Sequence, residues 1–599
     1  MRSKVTVGRR WSAALVATCS LAVAACTVDP GVAVEDSNQS GAGPVVPDGQ
    51  AGFPPTDSDD TSTPESGDPV VERPDSDVTW GSCDAFGIPS VDDLGTSGWE
   101  CSTLVAPMDP FGSGTTETVE LALTRHPATG DRRGTILLNP GGPGGAGLPL
   151  AWNVRGGMPP ELLRGFDIVS WDPRGIGYSQ PSIRCDDEQT PGGVDYIARC
   201  VELTGTLSSF VSAPYSAADM EAIRVALGED TLDYLGYSYG SILGATYAAE
   251  HPERVGAFVL DGVTDPLAGS TDGPFDGTFA VFADDGRDAA LARFAELCDA
   301  TDACLATLDA ADIIDALSRQ VPALTTDFFD SGPDRIGLGD YSGFLDAATT
   351  FAGDWELVAT ALEDADRGDA SAMAAMIASD PLAAPSDTDD DDGGGDDGDG
   401  EEGPTDVPTF SEANFMIYCS DLGPLLTGAA FCDDMTPNER RMQAVDSVDV
   451  ERDILVIGTE YDPLTPGYHA PDFVKALGSA THVIWEGVGH TAFPGWTPCI
   501  DETVTDQFLR RSLPDDGTRC SFLAELDSDE EIADELFGQG DVESRRRLEF
   551  AIERTDPDSD STCVAQILNQ DTAQVISHAI LDVTSPAATS AVTDALAKC

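Results

Sequence analysis

The amino-acid sequence predicts an α/β fold with a mostly parallel sheet, and two observations support this prediction. Short apolar runs alternate along the chain with segments of helical periodicity, which is typical of parallel strands joined by crossover helices. The chain has 599 residues, of which 41% are hydrophobic, so it can bury a sizeable core. We expect strands at residues 118–124, 135–138, 166–171, 232–235, 257–260, 454–457 and 482–485.

The first 25 residues have the pattern of an export signal. Basic residues up to Arg10 precede an apolar run at 11–25 that is too short to span a bilayer permanently. The run ends in Leu-Ala-Val-Ala-Ala-Cys26, which resembles a bacterial lipobox. We therefore expect Cys26 to carry a lipid that anchors the exported protein to the outer face of the cell membrane. This anchor is the only expected contact with the membrane, and a fraction of the protein molecules is expected to be released. An ordinary signal peptide cut after Ala25 is the alternative.

Two segments have a composition that does not support a packed core. Residues 27–79 are mostly Pro, Gly, Ser, Thr and Asp, which cannot offset the entropy lost on ordering, so we expect residues 26–79 to form a disordered acidic tether. Residues 387–402 contain almost only Asp, Glu and Gly. This run lacks the spacing of an EF-hand, so we expect a solvated acidic loop rather than a calcium site.

A long segment interrupts the series of strands and predicts a helical cap inserted after the sixth strand. The segment is rich in Ala, Asp and Leu, with apolar residues at helical spacing at 291–298 and 311–317. The end of the chain is expected to be a further, mainly helical appendage. The predicted division is signal peptide 1–25, tether 26–79, first core part 80–268, helical cap 269–411, second core part 412–520 and C-terminal appendage 521–599.

The net charge of the chain limits its partners. There are 106 Asp and Glu residues against 32 Lys and Arg residues, which gives a formal charge of −74. Such a charge repels polyphosphates, so we expect no nucleic acid as a partner. It attracts cationic groups such as a peptide N-terminus, although salt screens this attraction beyond about 8 Å.

The cysteine content fits an exported, disulfide-bonded protein. Of the fourteen cysteines, Cys19 lies in the signal and Cys26 is the expected lipid site, which leaves an even number. Neither a C-x-x-C pair nor an H-E-x-x-H helix occurs, so we expect no zinc site, and no cofactor is implied. Proximity in sequence suggests the pairs Cys83 with Cys101, Cys185 with Cys200, Cys298 with Cys304, Cys419 with Cys432, Cys499 with Cys520, and Cys563 with Cys599.

A G-x-S-x-G motif at residues 236–240 predicts a nucleophilic serine. The motif is short and arises readily by chance, but here a candidate strand precedes it and a candidate helix follows it at 241–250. A tight turn between a strand and a helix exposes the serine hydroxyl, and the flanking glycines avoid collisions in that turn. We therefore expect Ser238 to be the nucleophile. An ordinary strand-to-helix turn with a capping serine is the alternative.

Acyl transfer also requires donors that stabilise the oxyanion. The glycine-rich segment 139–147 (NPGGPGGAG) follows a candidate strand, and its glycines allow the backbone to approach a substrate closely. We assign one donor to the N–H of Gly142 and the other to the N–H of Tyr239, the residue after the expected nucleophile. A phosphate-binding interpretation is the alternative, but the segment lacks the G-K-[ST] ending of a P-loop.

The six histidines allow the catalytic base to be chosen by elimination. His490 follows a candidate strand within a glycine-rich turn, where its imidazole would lie over the strand ends. In this architecture the acid lies between the serine and the histidine, so Asp462, after the preceding strand, fits best. Glu460 is its competitor, and Asp261 or Asp265 would serve if the acid followed the earlier strand.

These motifs together resemble the α/β-hydrolase fold, and more narrowly the secreted tripeptidyl-aminopeptidase and prolyl-aminopeptidase-like serine hydrolases of actinobacteria. The resemblance covers about residues 80–520, whereas the acidic loop and the C-terminal appendage depart from the family pattern. It rests on the segments NPGGPGGAG (139–147), WDPRGIGYS (171–179), LGYSYGS (235–241), VLDGVTDP (259–266), GTEYDPLTP (458–466) and GVGHTAF (487–493).

The resemblance implies an exopeptidase that releases short tripeptidyl or prolyl-type units from peptide N-termini through an acyl-enzyme. Carboxylates near the cap would recognise the free amine, and Asp421 is one candidate. Asp172 and Arg174 are expected to form a structural ion pair that supports the oxyanion loop. A carboxylesterase of the same fold, acting on acyl or lipid esters, and a non-catalytic binding lipoprotein are the alternatives.

Overall fold

A computed structural model describes most of the expected core and part of the inserted segment. Within the described residues, no helix is both long enough and apolar enough to cross a membrane. The signal, Cys26 and the acidic loop lie outside these residues, as do the expected tether apart from residues 78–79 and the expected C-terminal appendage apart from residue 521. The structure describes residues 78–86, 98–112, 115–155, 157–185, 196–263, 279–299, 329–331, 334–336, 349, 358–359, 361–362, 410–422, 448, 450, 454–494 and 497–521.

Nine of the strands described by the structure form one sheet, in the order β1-β2-β4-β3-β5-β6-β9-β10-β11, and β7 and β8 form a separate pair. The strands are β1 (Glu100–Pro107), β2 (Thr118–His126), β3 (Gly134–Asn139), β4 (Phe166–Trp171), β5 (Leu232–Tyr237), β6 (Val255–Asp261), β7 (Phe329–Ser331), β8 (Asp334–Ile336), β9 (Ile454–Tyr461), β10 (Ala480–Val488) and β11 (Thr518–Ser521).

The central strands of the large sheet run parallel, as the sequence predicts. Strands β4, β3, β5, β6, β9, β10 and β11 pair in parallel, whereas β1 and β2 add an antiparallel edge. Every residue of β3, β4, β5 and β6 is buried, because helices cover both faces of the sheet. All seven predicted strands are present, and β1 and β11 were not predicted.

Helices pack on both faces of the large sheet and create two apolar cores. Along β5, Tyr234 faces one core and Leu235 the other, since successive strand residues point to opposite faces. The helices are α1 (Gly147–Arg155), α2 (Pro160–Gly165), α3 (Tyr196–Thr204), α4 (Ala213–Leu227), α5 (Tyr239–Glu250), α6 (Phe279–Asp299), α7 (Phe410–Leu422), α8 (Ala470–Leu477) and α9 (Pro498–Arg510). Helices α4, α5 and α8 contribute to the first core, and α1, α2 and α9 to the second.

The segment between β6 and β9 is inserted into the sheet order, after the sixth strand. It contains helices α6 and α7, and the helix expected at 291–298 lies within α6. The helix expected at 311–317 lies outside the described residues. The short antiparallel pair β7–β8 also belongs to this segment and was not predicted. The expected boundary between residues 411 and 412 falls inside α7, so this helix continues from the predicted cap into the predicted core.

Three of the expected disulfides are bonded in the structure: Cys83–Cys101, Cys185–Cys200 and Cys499–Cys520. Their sequence separations are 18, 15 and 21 residues. Closing loops of this size removes entropy from the unfolded chain, which corresponds to about 3 kcal/mol of stability for each bond. Cys298 and Cys419 are also disulfide-bonded. The cysteines Cys304, Cys432, Cys563 and Cys599 lie outside the described residues.

Candidate active site

Ser238 lies in a sharp turn between strand β5 and helix α5. Its φ angle of 53° is in the left-handed region, which is a strained conformation for a residue with a side chain. A Cβ atom on Gly236 would lie 2.4 Å from the carbonyl oxygen of Gly240, so this position requires glycine. The hydroxyl of Ser238 makes no capping hydrogen bond to α5. The geometry is that of a strained strand-to-helix turn with a half-buried serine, and it differs from the alternative of a capping serine.

His490 and Asp462 form a hydrogen-bonded pair at the same end of the sheet. The Nδ1 atom of His490 lies 3.0 Å from Oδ1 and 2.9 Å from Oδ2 of Asp462. Asp462 follows β9 and His490 follows β10, and these neighbouring strands are parallel, so both residues emerge at their carboxyl ends. The side chain of Asp462 is fully buried, whereas that of His490 is 14% exposed. This pairing orients the imidazole and leaves its Nε2 atom for another group.

The local chain holds the Asp462 carboxylate in place. Oδ1 accepts hydrogen bonds from the N–H groups of Leu464 and Thr465, both at 2.8 Å. The hydroxyl of Thr465 donates to Oδ2 at 2.8 Å and also lies 3.2 Å from Nδ1 of His490. An aspartate that accepts from the backbone two and three residues ahead is a common turn motif, so the sequence Asp-Pro-Leu-Thr already contained the signal for Thr465.

The electrostatics of the pair favour the ionised carboxylate. Burial raises the pKa of Asp462, but the charge of His490 and the hydrogen bonds from His490 and Thr465 outweigh burial and hold it below its usual value. Burial likewise lowers the pKa of His490, but the charge and hydrogen bond of Asp462 outweigh it and raise the pKa above 6.5. The imidazole is therefore a stronger base than a free histidine.

The other candidates for the acid have different partners. The Asp261 carboxylate accepts hydrogen bonds from the N–H groups of Ala492 (2.9 and 3.0 Å) and Phe493 (2.8 Å), directly after the His490 turn. Glu460 is bonded to Arg519 at 2.6 Å. Asp265 lies outside the described residues.

The glycine-rich segment lies directly against the Ser238 turn. A Cβ atom on Gly141 would be 2.3 Å from the carbonyl oxygen of Tyr237 and 2.8 Å from the backbone nitrogen of Tyr239, so only glycine permits this contact. Among the hydrogen bonds of the described residues, none has the N–H of Gly142 or of Tyr239 as its donor. The oxyanion site expected from the sequence would use these two N–H groups.

The expected ion pair between Asp172 and Arg174 is wrong. Arg174 instead pairs with Asp219 through two buried hydrogen bonds of 2.8 and 2.7 Å. Asp172 accepts from the N–H groups of Leu148 (3.0 Å) and Tyr178 (2.8 Å) and so holds the start of α1, directly after the glycine-rich segment. Burial raises the pKa of Asp172 to about 6, although these hydrogen bonds oppose the shift. The chain turns between Asp172 and Arg174, so these two side chains have different partners although they are close in sequence.

Asp421 also has partners other than the expected substrate amine. It lies on α7 with 1% of its surface exposed. Its Oδ1 accepts from the N–H of Ala213 at 2.9 Å, and its Oδ2 accepts a short hydrogen bond from the hydroxyl of Tyr239. Asp421 therefore contacts the residue after Ser238. Nothing in the sequence indicates this contact between residues so far apart.

The residues described by the structure contain no group of three or more side chains able to hold a metal ion. The structure places the Ser238 turn and the hydrogen-bonded pair of His490 and Asp462 at the carboxyl ends of parallel strands, with the glycine-rich segment against the turn. These groups suit nucleophilic acyl transfer.

Comparisons with known proteins point in the same direction. A family model described as alpha/beta hydrolase fold matches residues 134–494. Serine protease Hip1 of Mycobacterium tuberculosis is 29% identical over 476 residues, which cover 70% of this chain and 87% of that protein. A tripeptidyl aminopeptidase of Streptomyces coelicolor is 35% identical over 196 residues, which cover 28% of this chain and 35% of that protein. Carboxylesterase B of Mycobacterium tuberculosis is 27% identical over 491 residues, covering 76% and 91%.

Proposed function

This chain belongs to the alpha/beta hydrolase fold family, and from that premise we propose that it is an exported serine hydrolase that releases short peptides from the N-termini of its substrates. The observation that carries the proposal is the hydrogen-bonded pair of His490 and Asp462 at the carboxyl ends of the parallel strands, where the Ser238 turn also lies. A base oriented by a buried carboxylate, at the same end of the sheet as a serine in a strained turn, is the arrangement used for nucleophilic acyl transfer.

In the proposed mechanism, the Ser238 hydroxyl attacks the carbonyl carbon of the scissile bond. His490 takes the hydroxyl proton at Nε2 and then gives it to the leaving amine, while Asp462 keeps Nδ1 protonated and stabilises the imidazolium. The N–H groups of Gly142 and Tyr239 donate to the oxyanion. A water molecule, deprotonated by His490, then attacks the acyl-enzyme and releases the acid product with regeneration of Ser238.

The oxyanion donors should contribute much of the rate acceleration. Each donor of this kind lowers the barrier by about 3 to 4 kcal/mol. The contact of Gly141 with the backbone nitrogen of Tyr239 supports the assignment, because it places the glycine-rich segment beside the nucleophile turn. The N–H of Tyr239 also belongs to the first turn of α5, where the helix dipole favours a developing negative charge.

Two observations favour peptides as substrates. The relatives described above include a serine protease and a tripeptidyl aminopeptidase. The formal charge of −74 also favours substrates with a free, positively charged N-terminus over anionic ones. An aminopeptidase that produces short N-terminal units fits both.

A carboxylesterase is the second candidate function. It is favoured by the similarity to carboxylesterase B, which extends over 76% of this chain. The same serine, histidine and aspartate would act on an ester, with an alcohol as the leaving group. A non-catalytic binding protein is a weaker alternative, because the serine, histidine and aspartate are all present.

The first experiment tests whether the chain is an enzyme at all. A fluorophosphonate probe should label the full-length protein, and Ser238→Ala should abolish the labelling. Ser238→Ala and His490→Ala should each lower turnover by about 10⁶ without unfolding the protein. A loss of less than 100-fold for either variant would contradict the assignment. Persistent labelling of Ser238→Ala would do the same.

The second experiment separates a peptidase from an esterase. Rates should be compared on tripeptidyl and prolyl chromogenic amides, on the same peptides with a blocked N-terminus, and on short-chain esters. We expect the highest kcat/KM on an unblocked peptide amide and a marked loss on blocking. A preference for esters by several orders of magnitude would favour the carboxylesterase instead.

A further inference from the structure

Helix α7, which belongs to the inserted segment, lies against the glycine-rich segment proposed as the oxyanion loop. The Nδ2 atom of Asn414 donates to the carbonyl oxygen of Pro143 at 3.0 Å. The hydroxyl of Tyr418 donates to the carbonyl oxygen of Gly142 at 3.4 Å. A Cβ atom on Gly144 would lie 2.8 Å from the Cβ of Ala413, so the helix and the loop are in close contact.

The same helix reaches the second proposed oxyanion donor. The hydroxyl of Tyr239 donates a short hydrogen bond to Oδ2 of Asp421. The rings of Tyr239 and Tyr418 meet edge to face, with centroids 6.4 Å apart. Burial, followed by the charge of Asp421, raises the pKa of Tyr239 well above its usual value. The phenol therefore stays protonated and remains the donor.

One face of α7 makes all these contacts. Asn414, Tyr418 and Asp421 are spaced four and three residues apart, which places them on a single stripe of the helix. Asp421 is also bonded to the N–H of Ala213 at the start of α4, so a neighbouring helix of the core fixes the end of this stripe. Side chains of one helix thus contact both residues whose N–H groups are proposed to bind the oxyanion.

We propose that α7 positions the oxyanion site, with Asp421 as the positioning residue for Tyr239 and with Tyr418 and Asn414 as those for the loop at Gly142. This inference rests on the proposed function. Oxyanion donors stabilise the transition state only when they lie 2.7 to 3.1 Å from the developing charge. A loosened α7 would therefore slow the chemical step and leave ground-state binding nearly unchanged.

The inserted segment would then support catalysis through the residues that it positions. The contacts at Gly142, Pro143 and Tyr239 all come from α7, which lies between β6 and β9 in the chain. Cys419, on the same helix, is disulfide-bonded. A displacement of α7 would therefore shift both proposed oxyanion donors, Gly142 and Tyr239, together.

The test compares Asp421→Ala, Tyr239→Phe and the double variant with the wild-type protein. Tyr239→Phe removes only the hydroxyl, so the backbone N–H and the bond between Asp421 and Ala213 remain. We expect each single variant to lower kcat on a peptide amide by about 10- to 100-fold, a fraction of the loss caused by deleting a whole donor, with KM within about twofold. The double variant should be no slower than the worse single variant, because both substitutions remove the same hydrogen bond between Tyr239 and Asp421.

Ser420→Ala is the matched control. Ser420 is buried on the same helix, and its hydroxyl has no hydrogen-bond partner in the described part of the chain. We expect unchanged kcat and KM. Asp421→Asn keeps one acceptor oxygen and should recover part of the activity lost in Asp421→Ala. The affinity for a peptide boronate, which mimics the tetrahedral intermediate, should fall in parallel with kcat.

The outcomes distinguish this inference from the proposed function. A wild-type protein that is active, together with folded Tyr239→Phe and Asp421→Ala variants of unchanged kcat, would contradict the inference alone. A loss that appears in KM rather than kcat would also contradict it, since that pattern indicates substrate binding. A wild-type protein that neither reacts with the probe nor hydrolyses any substrate would contradict the proposed function and the inference with it.

Discussion

The backbone N–H of Ser238 donates a hydrogen bond of 2.9 Å to the carbonyl oxygen of Asp261, which ties the nucleophile turn to the end of strand β6. The carboxylate of Asp261 binds the segment after His490 through the N–H groups of Ala492 and Phe493. A Cβ atom on Gly262 would lie 3.4 Å from Cε1 of His490. One residue therefore connects the proposed nucleophile to the proposed base.

Asp261 gives a prediction about stability and pH. Burial raises its pKa to about 7, although the hydrogen bonds from Ala492 and Phe493 oppose the shift. The folded protein therefore keeps this proton as the pH rises from about 4 to 7, whereas the unfolded chain loses it. The folded state binds more protons over this interval, so its stability should fall by up to about 4 kcal/mol.

Asp261→Asn should remove this contribution, because the amide does not titrate. Urea unfolding of the wild type and the variant across this pH range should show a smaller loss of stability in the variant. Identical pH dependence for Asp261→Asn and the wild type would contradict the prediction.

Asp462 gives a prediction about the pH dependence of turnover. A general base must be neutral, so kcat should rise with pH through the raised pKa of His490, with a midpoint above about 6.5. Asp462→Asn removes the charge that raises this pKa and should also lower kcat by about 10⁴. The measurement is kcat against pH for both proteins. A midpoint that does not move downward in the variant would contradict the prediction that the charge of Asp462 raises the pKa of His490.

Thr465 gives a prediction about orientation. Its hydroxyl contacts both Oδ2 of Asp462 and Nδ1 of His490. Thr465→Val keeps the shape of the side chain but loses this hydroxyl, so we expect kcat to fall by about 10-fold or more, the effect of losing about 1.4 kcal/mol at the transition state. Thr465→Ser should keep most of the activity. Equal rates for Thr465→Val and Thr465→Ser would contradict a role for the hydroxyl.

Cys26 gives a prediction about location. A lipid on Cys26 would hold the exported protein on the membrane, so Cys26→Ser should release it into the medium while leaving the specific activity unchanged. Fractionation of cells and culture medium measures the effect, with Cys19→Ser, within the signal, as the comparison. Retention of Cys26→Ser at the membrane would contradict lipidation.

The sequence predicted the sheet well because its central strands are buried on both faces. Strands such as β4 (FDIVSW) and β5 (LDYLGY) are short and buried at every position, and apolar residues predominate in them. The helices between them repeat their apolar residues with the helical period instead. The edge strands β1 and β11 were missed. Exposed residues interrupt the apolar runs of these strands, and their pairing partners decide whether they form.

Local chemistry and chain order were enough to select Ser238, His490 and Asp462 from the sequence, because glycine turns after strands restrict where a reactive side chain can lie. The partners of Arg174 and Asp421 were different. They depend on Asp219 and Tyr239, which are 45 and 182 residues away along the chain. Only the tertiary structure decides such contacts, because the relative placement of distant elements follows from packing the whole core and leaves no trace in local periodicity.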